Sequence, residues 1–170
     1  MIILMAGLPG TGKTTLARAL AESTAGCVLS KDEIRAALFS SEDIEYSTAQ
    51  DDFCMEMMLH AARFLLKKNP ERKIFLDGRT FSHHYQIDRV LAFAAELEQR
   101  WVILQTTCPE ESARRRLEQD SSHPAQNRNF SLYLDVKARF EPIAHPKTVI
   151  DTDQPLKDCV RQAIVALGNG

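Results

Sequence analysis

The stretch GLPGTGKT, Gly7 to Thr14, decides how this 170-residue chain folds. It fits the pattern G-x-x-x-x-G-K-[ST] without a mismatch. The apolar run Ile2-Ile3-Leu4-Met5 precedes it, as a buried parallel strand should. Lys13 to Ser23 follows, with Leu16, Ala17, Leu20 and Ala21 at helical spacing. Strand, glycine loop and helix in that order make a phosphate cradle. The glycines allow a tight turn that points backbone N–H groups inward, and the helix N-terminus adds its positive dipole end. Gly7, Pro9, Gly10, Thr11, Gly12, Lys13, Thr14 and Thr15 are therefore the candidate nucleotide-binding residues. Lys13 is placed to reach the β- and γ-phosphates, and the Thr14 hydroxyl to ligate Mg²⁺.

Working outward, short apolar runs alternate with helical stretches. Strands are expected at Cys27–Leu29, Lys73–Asp77, Trp101–Thr106 and Thr148–Ile150. Helices are expected from Ser30, over Thr48–Lys68, His83–Arg100, Pro109–Glu118 and Phe130–Phe140, and from Leu156 to Leu167. In the long helix Phe53, Met57, Ala61, Phe64 and Leu65 are expected on one side, with Asn69-Pro70 as its stop. Met55, Met57 and Met58 read as core filler, and His60 and Trp101 as packing residues. The alternation predicts a single α/β domain over 1–170, with a five-stranded parallel sheet covered by helices on both faces.

Composition narrows the class of partner. Hydrophobic residues make up 44% of the chain, enough for a sizeable core. A net charge of -2 disfavours a large nucleic-acid partner. The four cysteines have no zinc-type pairing and read as reduced thiols. No apolar run is long enough to span a membrane. MIILMAGLPG runs into the loop with no basic region or cleavage site, so a cytoplasmic location is expected.

Ser30-Lys31-Asp32-Glu33-Ile34-Arg35 follows the second strand. Ser30 and Glu33 have capping-box spacing, which puts Asp32 in the first turn and Arg35 over the same face. Strand carboxyl ends line the ligand crevice of an open α/β sheet, so Asp32 is expected near the γ-phosphate side of the cradle. A carboxylate there can accept a proton from an attacking hydroxyl. Arg35 can hold a polar or anionic group of that acceptor.

Asp77 ends the third strand, where an acid either supports Mg²⁺ or faces substrate. Arg79 and Thr80 in the turn behind it join the candidates for acceptor binding. The adjacent His83 and His84 diverge and have no i+4 ligand partner, which argues against a metal site. Late in the chain, Arg114-Arg115-Arg116 and the polar loop carrying Arg128 read as a closing lid over about 114–130. Arg116 and Arg128 are its candidate catalytic residues.

Taken in order, the cradle, Ser30–Arg35, Asp77–Phe81 and the Cys108–Glu111 start of the lid helix resemble those of small P-loop kinases with an AAA-type ATP-binding domain. The set is most similar to the group of zeta-type toxins, chloramphenicol phosphotransferase and polynucleotide 5'-kinase domains. The Ile150–Asp153 segment is similar to the family's stretch near the adenine. The resemblance implies a three-layer P-loop fold with a helical lid and transfer of the γ-phosphate of ATP, with Mg²⁺, to a hydroxyl of a small acceptor. It implies Asp32 as general base, Arg35 on the substrate and lid arginines on the phosphates. Where kinases of polynucleotide ends carry a second arginine four residues after the one matching Arg116, this chain has Asp120. A polynucleotide 5'-hydroxyl kinase and a P-loop protein that only binds or hydrolyses ATP are the alternatives.

Overall fold

Every residue of the first strand, β1 (Ile2–Ala6), is buried, because helices cover both faces of the sheet it centres. A computed structural model describes residues 1–119 and 129–168. Strands β2 (Cys27–Ser30), β3 (Ile74–Asp77), β4 (Trp101–Thr107) and β5 (Thr148–Asp151) complete a five-stranded sheet of order β2-β3-β1-β4-β5. All four pairings are parallel, with Ile2 opposite both Ile74 and Trp101.

The period-two alternation of β1 builds two cores. Ile2, Leu4 and Ala6 face α3 (Thr48–Lys68) and α4 (His84–Glu96), where Met55, Met58, Leu59, Ile87 and Phe93 close the layer. Ile3 and Met5 face α1 (Lys13–Thr24) and α7 (Leu156–Gly168) through Leu16, Leu20, Ala163 and Leu167. Between β2 and α3 lies α2 (Lys31–Leu38), and after β4 come α5 (Glu110–Gln119) and α6 (Phe130–Ala138). Ala113, Leu117 and Tyr133 form a small third cluster against Leu8 of the cradle. Arg114 lies 3.8 Å over the Phe130 ring and ties α5 to α6. Residues 120–128, the greater part of the expected lid, lie outside those described, and Arg128 with them.

Three expectations about the helices need correction. The long helix α3 buries Cys54, Met55, Met58, Leu59, Ala62 and Leu66, whereas Phe53 and Phe64 are 48% and 60% exposed. The apolar stripe is therefore turned by about one position from the one the aromatics suggest. Phe53 instead meets Phe39 edge-on, ring centroids 5.8 Å apart, outside the core. His60 is exposed and is not a packing residue. Helix α4 ends at Glu96 rather than Arg100, because Glu98 takes a left-handed φ of 51° and Gln99 N–H closes on Ala94 O. That turn lets Arg100 O accept from Ile2 N at 2.8 Å as β4 starts.

The displaced stripe is testable. Met58→Ala is expected to lower stability by about 2–5 kcal/mol. Phe64→Ala should stay within about 0.5 kcal/mol. Urea denaturation of the two variants checks the order.

All four cysteines are free, and burial pushes the thiols of Cys54, Cys108 and Cys159 up from their ordinary value. Among the described residues no helix is long and apolar enough to cross a membrane.

Candidate functional site

Helix α1 begins at Lys13, and its N-cap Gly12 offers no side-chain hydrogen bond. Its first N–H groups are thus left to the loop and to whatever the loop holds. Gly7 has φ of 133°, and a Cβ there would come within 2.5 Å of Thr106 O. Gly10 abuts α5 just as closely, with Ala113 O 2.8 Å from its missing Cβ. The loop is fixed from behind. Thr11 Oγ1 donates to Leu8 O at 2.7 Å and meets Thr106 Oγ1 at 2.8 Å, and Gly7 N donates to Thr80 O at 3.1 Å.

The loop opens onto a cleft of about 620 Å³. Of the cradle candidates, Pro9, Gly12, Lys13, Thr14 and Thr15 line it, whereas Gly7, Gly10 and Thr11 shape the loop from the far side. Lys13 Nζ donates to Gly7 O at 2.9 Å and Leu8 O at 2.7 Å, which holds the ammonium over the loop.

The second wall comes from α2. Ser30 caps it as the capping-box spacing predicts, its side chain accepting from Glu33 N. Asp32 lines the cleft at 9% exposure. Its Oδ1 accepts from Arg35 Nη1 at 3.0 Å and lies 3.3 Å from Lys31 Nζ. Asp51, in the first turn of α3, closes the group: its Oδ1 accepts from Lys31 Nζ at 2.7 Å and from Arg35 Nη2. Tyr46 adopts a left-handed φ of 53° and lays its ring 5.0 Å from the Arg35 guanidinium carbon.

The third wall is the turn after β3. Arg79 and Thr80 line the cleft, and Arg79 Nη2 is bound by Asp52 Oδ1 at 2.6 Å and Tyr85 Oη at 3.1 Å. Asp77 sits behind this turn at 1% exposure, next to Ser30 in the strand register. Among the described residues neither of its carboxylate oxygens has a hydrogen-bond partner. A buried carboxylate without a partner is costly and suits a divalent cation or its water shell. This unpartnered carboxylate is thus chemically suited to Mg²⁺, and Thr14 lines the cleft in front of the wall that covers Asp77.

Arg116 lies elsewhere. Its Nη1 donates to Thr152 Oγ1 at 3.1 Å and its Nη2 to Thr152 O at 2.8 Å, and Thr152 Oγ1 in turn donates to Thr11 O at 2.9 Å. It thus reaches the outer flank of the loop only through Thr152 and does not line the cleft with Asp32. His83 and His84 turn to Glu141: the His84 amide, at 2.6 Å, and the His83 ring, at 3.0 Å, hold that carboxyl below the usual range.

Sequence reasoning gave no role to Lys31, Asp51, Asp52 or Tyr85. The adjacent acids in the first turn of α3 resemble ordinary helix-dipole companions, and only the docking of α3 on α2 reveals their partners.

The chain belongs to the AAA domain family, whose model matches residues 2–143. Its fold is that of the small P-loop kinases. It is similar to a sugar kinase from a Janibacter species, at 17% identity and a TM-score of 0.71, over 98% of this chain and 94% of that one. It is similar to the APS kinase of Mycobacterium tuberculosis solved with AMPPNP and APS, at 16% identity and a TM-score of 0.73, over 98% and 96%. Kti12 of Chaetomium thermophilum, solved with ADP-AlF3, aligns at 17% identity and a TM-score of 0.69, over 98% of each chain. At these identities the likeness is one of fold. No curated protein matches the chain by sequence.

Proposed function

We propose that the chain is an ATP-dependent kinase that transfers the γ-phosphoryl group to a hydroxyl of a small molecule. One observation carries this reading: a buried carboxylate, Asp32, held by two cations, shares a cleft with the phosphate loop. A GTPase or motor needs no proton acceptor fixed in this way on a separate wall.

The donor's phosphates lie against the loop amides and Lys13, under the N-terminus of α1. The acceptor hydroxyl stands at Asp32, which takes its proton as the oxygen bonds to the γ-phosphorus. The bond from that phosphorus to the β–γ bridging oxygen breaks, and ADP leaves with the electron pair. Lys31 and Arg35 keep the Asp32 carboxylate turned to the cleft. When bound, Mg²⁺ supplies charge neutralisation on the phosphates, held by Thr14 and Asp77. Arg116, two hydrogen bonds from the loop backbone by way of Thr152, steadies the outer flank rather than the transferring group. An ATP-rich, reducing compartment such as the cytoplasm suits four unpaired thiols.

The test is transfer from γ-labelled ATP to sugars, aminoalcohols, nucleosides and oligonucleotides. Label in a small-molecule acceptor is the expected result. Release of label only to water overturns transfer in favour of hydrolysis, and label confined to oligonucleotides moves the acceptor to a polynucleotide end.

The Mg²⁺ assignment has its own prediction. Asp77→Asn should leave the metal-free fold as stable or more so, because a buried charge is removed. It should weaken the Mg²⁺ dependence of ADP binding by about 10- to 100-fold. Titrating Mg²⁺ at fixed ADP, beside a thermal melt, checks both halves.

A further inference from the structure

Asp51 and Asp52 are consecutive in α3 yet serve different arginines. Asp51 binds Lys31 and Arg35, and Asp52 binds Arg79. Both arginines are buried, at 2% and 5% exposure. The Arg35 fork is used up: Nη1 is on Asp32, Nη2 is on Asp51, and Tyr46 is stacked on the guanidinium face. Lys31, Arg35 and Arg79 are thereby matched by Asp32, Asp51 and Asp52, so this half of the cleft carries no net charge from its buried cations.

Arginine recognises phosphate or sulfate through a paired fork, and at Arg35 that fork already holds two carboxylates. An incoming anion would have to displace Asp51 or Asp52, whose side chains are 27% and 45% exposed, and would meet their charge on the way. A neutral polyol meets no such opposition. Its hydroxyls can donate to these carboxylates.

We infer that Asp51 and Asp52 are specificity-determining residues: as built-in counter-ions they tune the acceptor half of the cleft to neutral hydroxyl compounds, the sugars and polyols, and against acceptors carrying phosphate or sulfate. The word acceptor rests on the kinase reading; the charge balance does not.

The experiment therefore has a binding arm and a transfer arm. In the first, the loop is saturated with AMPPNP and Mg²⁺, and inorganic sulfate is titrated by calorimetry into the wild-type chain, Asp52→Asn and the double variant Asp51→Asn/Asp52→Asn. The wild type should show no second sulfate site in the millimolar range. Each variant should gain about tenfold or more in sulfate affinity. Asp52→Asn leaves the Lys31–Asp32–Arg35–Asp51 group intact, so it decides the matter where the double variant does not fold. A millimolar or tighter second site in the wild type, or no gain in Asp52→Asn, overturns the inference. In the second arm, the wild type is given labelled ATP with glycerol or glycerol 3-phosphate, and with glucose or glucose 6-phosphate. Preference for the neutral member of a pair supports the inference, and transfer confined to the phosphorylated member overturns it. Label in neither pair, with the sulfate gain intact, overturns sugars and polyols as the acceptor class and leaves the charge assignment standing.

Discussion

Asp32→Asn is expected to lower phosphoryl transfer by about 10²- to 10⁴-fold, the range a general base contributes. Asparagine keeps the shape of the side chain and an oxygen for Arg35, but it cannot take a proton from the acceptor. Arg35 retains Asp51, and Lys31 retains Asp51 as well, so neither cation is left buried and unpaired. AMPPNP affinity should therefore be unchanged, because the loop that holds the phosphates belongs to other elements. Turnover and AMPPNP titrations on one preparation separate the outcomes. Unaltered turnover removes Asp32 as the base. A joint fall in turnover, nucleotide affinity and melting temperature assigns it a structural role instead.

Phe75→Ala is expected to lower stability by about 3–5 kcal/mol, the cost of an emptied aromatic site in a packed core. Phe75 is fully buried in β3, opposite Ile3 on one side and Val28 on the other. Its ring edge lies 2.7 Å from where a Cβ on Gly26 would stand, so the turn from α1 into β2 is moulded around it. Collapse into the void is opposed by neighbouring strands whose registers are fixed on both sides. For a domain of this size the melting temperature should fall by roughly 10 °C. Urea denaturation with an unchanged slope would confirm a loss of stability rather than a changed unfolded state. A cost below about 1 kcal/mol would show that this core does not depend on the ring.

What could be read from the sequence was local. The cradle is a contiguous motif, and the sheet follows from short apolar runs between helical ones, so all five strands are where their runs place them. The Ser30 cap is a three-residue relationship and forms as its spacing implies. The family and fold carried by the ordered motifs are those of the chain. The face of α3 was misread because Phe53 and Phe64 dominate a hydrophobicity pattern, while the core takes the smaller and more adaptable Cys54, Met55 and Met58. Asp32, Arg35, Arg79 and Thr80 could be picked out as candidates from their motifs, and all four do line one cleft. Their pairing with α3 could not, since Asp51 meets Arg35 sixteen residues away and Asp52 meets Arg79 across the cleft. The same holds for Arg116, whose partner Thr152 arrives from the end of β5.

The central strand β1, with all five residues fully buried, ends where the phosphate loop begins. The loop is thus suspended from the most deeply buried strand of the sheet, where amide exchange is expected to be slowest. Ordering of the floor is complete when the chain folds, so nucleotide capture loses little further entropy there. The walls are tied differently: α2 meets α3 through ion pairs, while α3 is itself anchored on the sheet by Met55, Met58 and Leu59. The floor of the cleft is thus set by folding alone, before any nucleotide arrives.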